Sequence, residues 1–396
     1  MHNTKLNYKV QLQKTLIIGG VLRFFFLFLV IVVFQDTISP YIMADDIRYE
    51  DVASKYLLYA NSILDYNAAA IVGADDYLEI FWPYVMCVFA KLFHTEFGGR
   101  IVNCLLSTYC IYLVYNLTKL ISLKEITALK AAKLFAYLPY PWIICCFPLK
   151  DIFLTTVVLF VFTIFIKFQQ GIKIPIIHII ISILLLIAVS FTRGAVTEFL
   201  GLVGLSFFIK SLIDKKKTNY AIIAGLLGLV ILLFIWGSIM DSFEQKINDY
   251  KTEEYISTGF LQYIQINKLT DLWKLPATYF FAMIQPMIMS IFTPDWSDWS
   301  YFLRLLNLTA YPIAFGNIIY AFTKKYNKFF WYTSFLMYAS VFSLSLGIYR
   351  HYLFLYPFLM VNYACNQSMK KPYTKNIVQI GSILMYIIIF IISLKK

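Results

Sequence analysis

The chain has 396 residues, of which 60% are hydrophobic and 14% charged, and its mean hydropathy is +0.70. Soluble domains carry about 45–50% apolar and about 25% charged residues, so this composition excludes an ordinary soluble protein. The net charge of +12 does not indicate nucleic-acid binding, because the Lys residues lie in short links between apolar runs, where they set membrane orientation. We predict a single integral membrane domain over residues 1–396, with an all-α, polytopic fold in contact with the lipid bilayer.

Long apolar runs recur from one end of the chain to the other and predict membrane-spanning helices, which need about 20 residues each. A run at 133–147 is shorter and is broken by Pro139 and Pro141, while two others are interrupted by Pro83 or Pro286. These last two cover residues 78–93 and 276–292. The clear candidates cover residues 16–34, 101–117, 152–168, 174–191, 196–209, 220–240, 303–322, 329–348, 352–364 and 377–394.

Basic links between these runs predict the orientation, because Lys and Arg favour the cytoplasmic side. Six links hold 19 of the 34 Lys and Arg residues but only two of the 22 acids, Glu125 and Asp214. All six are cytoplasmic together only if the segments at 78–93 and 276–292 do not fully cross. This gives about 11 crossings, or 13 if both cross, with a cytoplasmic N-terminus and two longer outer loops, 35–77 and 241–275, the second an amphipathic helix. The six links are 5–14, 119–133, 167–173, 210–217, 324–328 and 370–375.

Asp45 and Asp46, just after the first span, are the sharpest local feature. Adjacent carboxylates can act as a general base, or hold a divalent cation such as Mg²⁺ or Mn²⁺, or do both. The alternative is a solvated polar loop, and the nearby Asp51 and Asp65 make the pair less distinctive.

A second candidate, Phe147-Pro148-Leu149-Lys150-Asp151, falls on the same outer face in this topology. Pro148 ends one segment and Lys150-Asp151 begins the next. Asp151 could cap the following helix by accepting backbone N–H groups, or serve a function, and the two roles do not exclude each other.

Ionisable residues within apolar surroundings are costly, so function is the default hypothesis for Arg193, Glu198 and Arg350. Arg193 and Glu198 could instead pair with each other. Arg350 could form a bidentate hydrogen bond with phosphate oxygens, a geometry that suits a guanidinium better than an ammonium. His351 could assist with a phosphate or simply be hydrogen-bonded, and Arg23, in the first span, is interpreted as structural.

The remaining sequence signals are weak. The six cysteines show neither metal-ligand spacing nor a disulfide framework, which favours packing in the apolar core. Gly98-Gly99 is too short for a nucleotide fingerprint, and nothing matches a phosphate-cradling loop, a zinc motif, a nucleophile elbow or a haem site.

A first span followed by Asp45-Asp46, Tyr49 and Ala53 resembles the opening of GT-C-type membrane glycosyltransferases. Pro148–Asp151 and the late Arg350-His351-Tyr352 with Pro357 resemble further landmarks of such chains. Wzy-type repeat-unit polymerases of bacterial surface-polysaccharide clusters share these landmarks. The chain departs from the pattern in having Asp-Asp where many GT-C enzymes have Asp-Glu, and in lacking the large soluble C-terminal domain that some of them carry.

The resemblance implies glycosyl transfer from a polyprenyl-phosphate or diphosphate donor on the outer face of the bacterial cytoplasmic membrane. The expected pathway is capsule or surface-polysaccharide assembly, by repeat-unit polymerisation and with other assembly proteins as partners. Transfer from lipid phosphate does not require a metal cofactor. A single-sugar transferase, a lipid-linked oligosaccharide flippase and a non-catalytic scaffold remain alternatives. The expected site has Asp45 or Asp46 as catalytic base, with substrate-binding residues Tyr49, Lys150, Asp151, Arg193, Arg350 and His351.

Overall fold

The structure, a computed structural model, describes residues 2–33, 45–74, 80–230 and 353–367, with short pieces at 273–274, 313, 316–317, 376–377, 379–381, 383–384 and 387. Every regular element in these residues is helical. The helices are α1 (His2–Phe28, continued by a π-helical turn at Leu29–Val33), α2 (Asp45–Tyr59), α3 (Tyr66–Ile71), α4 (Phe81–Phe93), α5 (Gly98–Ser122), α6 (Glu125–Tyr137), α7 (Pro139–Ile144), α8 (Asp151–Gln169), α9 (Ile176–Arg193), α10 (Val196–Asp214), α11 (Thr218–Val230) and α12 (Tyr356–Gln367).

Five helices are long and apolar enough to cross a membrane: Asn7–Val33 of α1, and α5, α8, α9 and α10. They confirm helices of membrane-spanning length at five of the predicted spans and the all-α fold class, while the number and direction of the crossings stay predictions. At 13 residues, α4 is shorter than an upright crossing requires. The total of 11 to 13 crossings stays a prediction, since most of the later spans lie outside the described residues.

Helix α5 is the centre of the described bundle, with α1, α4, α6 and α8 packed around it. Small side chains allow this close packing, as is typical of membrane helices. On α6, Ala128, Ala132 and Ala136 recur every four residues and are fully buried. This spacing places the three alanines on one face of α6, and Ala136 on that face lies against Gly19 of α1.

Gly98 and Gly99, at the start of α5, bring its first turn into close contact with α4. A Cβ atom on Gly98 would overlap the backbone carbonyl of Phe89, and one on Gly99 would overlap the Met86 sulfur. The glycine pair therefore has a packing role, which explains why it stands alone without the rest of a nucleotide-binding pattern.

We expect Gly98→Ala to destabilise the protein by about 1–3 kcal/mol, because the overlapping atom is backbone and cannot move aside cheaply. Gly201→Ala is the matched control, since a Cβ atom there meets nothing within 4 Å. Thermal unfolding in detergent measures both variants. Equal melting temperatures for the two would contradict the close contact.

Helices α9 and α10 form a hairpin that turns at Arg193. The backbone leaves helical geometry there (φ −161°, ψ 88°). Thr197 Oγ1 lies 3.4 Å from the carbonyl oxygen of Leu186, eleven residues earlier, where a straight helix would separate them by about 16 Å. The two predicted spans at 174–191 and 196–209 are thus antiparallel neighbours joined by a very short turn.

The described bundle has two chemically different ends. At the first, Gln170 donates a hydrogen bond of 2.8 Å to the Leu120 carbonyl, and the Lys215 ammonium lies 5.4 Å from the Phe168 ring centroid. Three basic links, 119–133, 167–173 and 210–217, therefore meet there, and we call it the basic end. The opposite end contains the start of α5, the α7–α8 link (residues 145–150) and the turn at Arg193, and we call it the site end.

The predicted outer loop at 35–77 is largely helical where it is described, because it contains α2 and α3. Asp65 caps α3 by accepting the backbone N–H of Ala68, and its other carboxylate oxygen accepts the backbone N–H of Asn61, both at 3.0 Å. These donors lower the pKa of the Asp65 carboxyl. The predicted amphipathic helix at 241–275 lies outside the described residues, apart from residues 273–274.

Candidate functional site

The α7–α8 link is held in place by side chains from two helices. Asn103 of α5 donates hydrogen bonds to the carbonyls of Phe147 (2.8 Å) and Leu149 (2.9 Å). Trp82 of α4 donates to the intervening carbonyl of Pro148 at 2.9 Å. Three successive carbonyls thus have fixed partners, and the residues that follow, Lys150 and Asp151, begin α8 from a rigid backbone.

Asp151 is buried and faces Arg193 across the site end. Its carboxylate is 3% exposed, and its Oδ1 atom accepts no hydrogen bond but lies 3.8 Å from Arg193 Nη1. The capping interpretation is not supported, since no capping hydrogen bond from this side chain is present. A buried carboxylate near the positive end of a helix is favourable. A buried acceptor without a donor is unusual enough to indicate a role.

The guanidinium of Arg193 also has hydrogen-bond donors that are not used within the described residues. Within the described residues it donates no hydrogen bond, and 3.8 Å to Asp151 exceeds a direct hydrogen bond. Its side chain is 15% exposed. Glu198, the local partner considered from sequence, is exposed, and no ion pair joins it to Arg193. Arg193 is thus a mostly buried cation with donors available to an anion.

A second pair of charges, Glu50 and Arg100, joins α2 to the start of α5. Arg100 Nη2 lies 2.6 Å from Glu50 Oε2, and Arg100 Nε contacts the other carboxylate oxygen, which makes the pair bidentate. The Arg100 side chain is 1% exposed, and its guanidinium lies 5.3 Å from the Phe97 ring and 5.9 Å from the Phe147 ring. This pair connects α2 to the α7–α8 link.

We expect Arg100→Met to cost about 3 kcal/mol of stability, because it leaves the Glu50 carboxylate partly buried beside no cation. The double variant Glu50→Gln/Arg100→Met should recover part of this loss, since it removes both charges. Thermal unfolding of the detergent-solubilised variants measures the coupling. Additive losses in the double variant would show that the two residues do not stabilise each other.

The backbone of Asp45 and Asp46 forms the first turn of α2, and Asp46 stands one helical turn before Glu50. Tyr49, directly before Glu50, is partly buried and packs against the core. The predicted catalytic pair is therefore on a helix that Glu50 and Arg100 anchor at the site end. A helix N-terminus also favours acidic residues, so their position suits a carboxylate.

The structure brings Asp151 within 3.8 Å of Arg193, and Lys150 is the residue directly before Asp151. The first residues of α2, Asp45 to Tyr49, directly precede Glu50 of the Glu50–Arg100 pair. Lys150 is 9% exposed. Arg350 and His351 lie outside the described residues. The nearest described helix, α12, begins at Tyr356, whose ring lies 5.3 Å from that of Tyr140 in α7.

Sequence reasoning missed Glu50, Arg100 and Asn103. Glu50 sits four residues after Asp46, a spacing that places two acids one turn apart on a helix. Arg100 opens a membrane helix directly after the glycine pair, and Asn103 follows one turn later within an apolar run. Polar residues inside a membrane segment are functional candidates by default, and extending that rule to the ends of each span would have selected Arg100 and Asn103.

No known protein family matches the chain, and neither a curated protein nor a solved structure is similar to it.

Proposed function

We propose that this protein transfers a glycosyl group from a polyprenyl-phosphate- or diphosphate-linked donor on the outer face of the bacterial cytoplasmic membrane. In this proposal it polymerises the repeat units of a surface polysaccharide. The observation that carries the proposal is the group at the site end: a buried carboxylate, Asp151, beside the available guanidinium of Arg193 and next to Lys150. A lipid phosphate needs such cations at the membrane surface.

The site end is proposed to face outward, because three basic links meet at the opposite end and basic links favour the cytoplasm. Nucleotide sugars are cytoplasmic, so transfer on the outer face requires a donor that has been carried across on lipid. This is the reason that a lipid phosphate is the proposed leaving group.

The proposed chemistry is a direct displacement at the anomeric carbon. Asp45 or Asp46 takes the proton of the acceptor hydroxyl, and the resulting oxygen attacks the anomeric carbon. The bond from that carbon to the phosphate oxygen breaks, and the lipid phosphate leaves with the bonding electrons. Arg193, Lys150 and Arg350 stabilise the charge that develops on it, with His351 as a further phosphate contact and Tyr49 and Asp151 lining the substrate site. No metal is required, although Asp45 and Asp46 could hold one.

A second candidate function, transport of a lipid-linked oligosaccharide, has one observation in its favour. A cavity of about 730 Å³ lies between α1 and α6, and its lining includes Tyr8, Gln11, Lys130 and Lys133. A flippase must bind the lipid phosphate at both faces, and lysines toward the basic end would suit that role. The acids of the site end favour the transferase.

Deletion of the gene, followed by analysis of surface polysaccharide and of lipid-linked intermediates, distinguishes the candidates. We expect loss of long polymer, with single repeat units still lipid-linked on the outer leaflet. Truncated units would instead indicate a single-sugar transferase. Intact units trapped on the cytoplasmic leaflet would indicate a flippase and contradict the proposal.

A further inference from the structure

Three of the six cysteines form a buried cluster that their sequence spacing does not reveal. Cys104 lies on α5, and Cys145 and Cys146 lie in the α7–α8 link, 41 and 42 residues later. All three are fully buried, and their sulfur atoms lie within 4.8 Å of one another. The sulfur atoms of Cys104 and Cys145 are 3.8 Å apart.

This separation fits sulfur atoms that share one metal ion. Zinc–sulfur bonds of about 2.3 Å at tetrahedral angles place two sulfurs about 3.8 Å apart. A disulfide would need about 2.05 Å. Main-chain carbonyl oxygens adjoin the sulfurs and can complete a fourth corner: that of Arg23 lies 3.9 Å from the Cys104 sulfur and 3.5 Å from the Cys146 sulfur, and that of Trp142 lies 3.2 Å from the Cys145 sulfur and 3.1 Å from the Cys146 sulfur. A zinc-bound oxygen at about 2.1 Å would stand about 3.6 Å from each sulfur.

Arg23 supplies an independent reason for negative charge at this place. Its side chain is fully buried and donates to Ser107 Oγ (2.7 Å) and to the carbonyls of Gly19 (2.8 Å), Ala136 (3.3 Å) and Phe135 (3.3 Å). All four acceptors are neutral. Among the described residues no carboxylate pairs with Arg23. A buried cation without an anion is costly by several kcal/mol.

Charge balance selects the metal. Three thiolates and one Zn²⁺ carry a net charge of −1, which the Arg23 guanidinium neutralises. Three thiolates and Cu⁺ would carry −2 and leave the buried cluster with an uncompensated charge. Zinc is also thiophilic and accepts four-coordinate sites built mainly from Cys.

We propose that Cys104, Cys145 and Cys146 bind one Zn²⁺ ion beside Arg23, with release of the three thiol protons. Cys146 immediately precedes Phe147, the first of the three link residues whose carbonyls Asn103 and Trp82 hold. The ion would therefore fasten α5 to the backbone that carries Lys150 and Asp151. The role of the ion is structural. The zinc proposal therefore does not depend on whether the protein is a glycosyltransferase.

The test is the metal content of the full chain, purified without chelators and measured by elemental mass spectrometry. We expect about one zinc per chain in the wild type and in Cys365→Ser, whose thiol is buried in α12 outside the cluster. Cys104→Ser should lose most of the zinc. Replacement by Co²⁺ should give thiolate-to-cobalt charge-transfer absorption in the wild type and not in Cys104→Ser.

If Cys104→Ser does not fold, the metal content of the wild type alone tests the proposal. Wild-type protein without zinc, with all six thiols reactive after denaturation and no cobalt–thiolate band, would overturn the proposal and leave hydrogen-bonded packing as the role of the cluster. Copper in place of zinc would overturn the charge-balance argument.

Discussion

Asp46→Asn is expected to abolish polymer formation while leaving the amount of protein in the membrane unchanged, and Asp45→Asn to do the same. Asparagine keeps the size of the side chain but cannot take the proton from the hydroxyl group of the acceptor sugar. The chemical step therefore loses its base. Loss of a general base typically costs about 10²–10⁴-fold in rate. Polymer length on gels and the protein level by immunoblot are the two measurements.

Asp51→Asn is the control for this pair. Asp51 lies on the same helix, is exposed, and pairs with Lys55 at 2.6 Å, so its loss should change neither polymer nor protein level. Full activity in both single variants, Asp45→Asn and Asp46→Asn, would remove these residues from the proposed mechanism. Activity in one alone would identify the other as the base.

Arg193→Lys should lower turnover by about 10²–10³-fold, the usual cost of removing one preorganised donor of charge stabilisation. Lysine keeps the positive charge facing Asp151, so the fold should persist. It cannot offer the planar fork that binds two phosphate oxygens together. The loss should therefore appear in the rate of transfer more than in the melting temperature.

Arg48→Lys, a change at an exposed position of α2, should leave the rate near that of the wild type. Comparing kcat and KM for the donor lipid separates the possible roles of Arg193. A wild-type rate in Arg193→Lys would show that this residue only holds the α9–α10 turn against α8.

The long apolar helices were predictable, because a long apolar run in a bilayer has few alternatives to an α-helix. The ends of the helices were less predictable. The apolar run at 101–117 lies within a helix that covers Gly98–Ser122, because polar residues continue the helical backbone hydrogen bonds beyond the apolar part. The break at Pro139 and Pro141 was correctly expected. It falls between α6, which ends at Tyr137, and α7.

The partners in the site were not predictable, because they join residues far apart in the chain. Arg193 could be selected as a costly intramembrane charge, but its partner, Asp151, lies 42 residues earlier, while the local candidate Glu198 is exposed. Likewise, nothing in the sequence joins Glu50 to Arg100. Such pairs depend on which helices pack together, and apolar periodicity does not specify that.

The most direct test of the proposed activity is transfer by the purified chain, reconstituted in liposomes with a polyprenyl-diphosphate-linked repeat unit. We predict lipid-linked products longer than one repeat unit, together with release of free polyprenyl diphosphate in equal amount to the bonds formed. Asp46→Asn should release none. A wild-type protein that is folded, binds the donor lipid, and forms neither product would contradict the account.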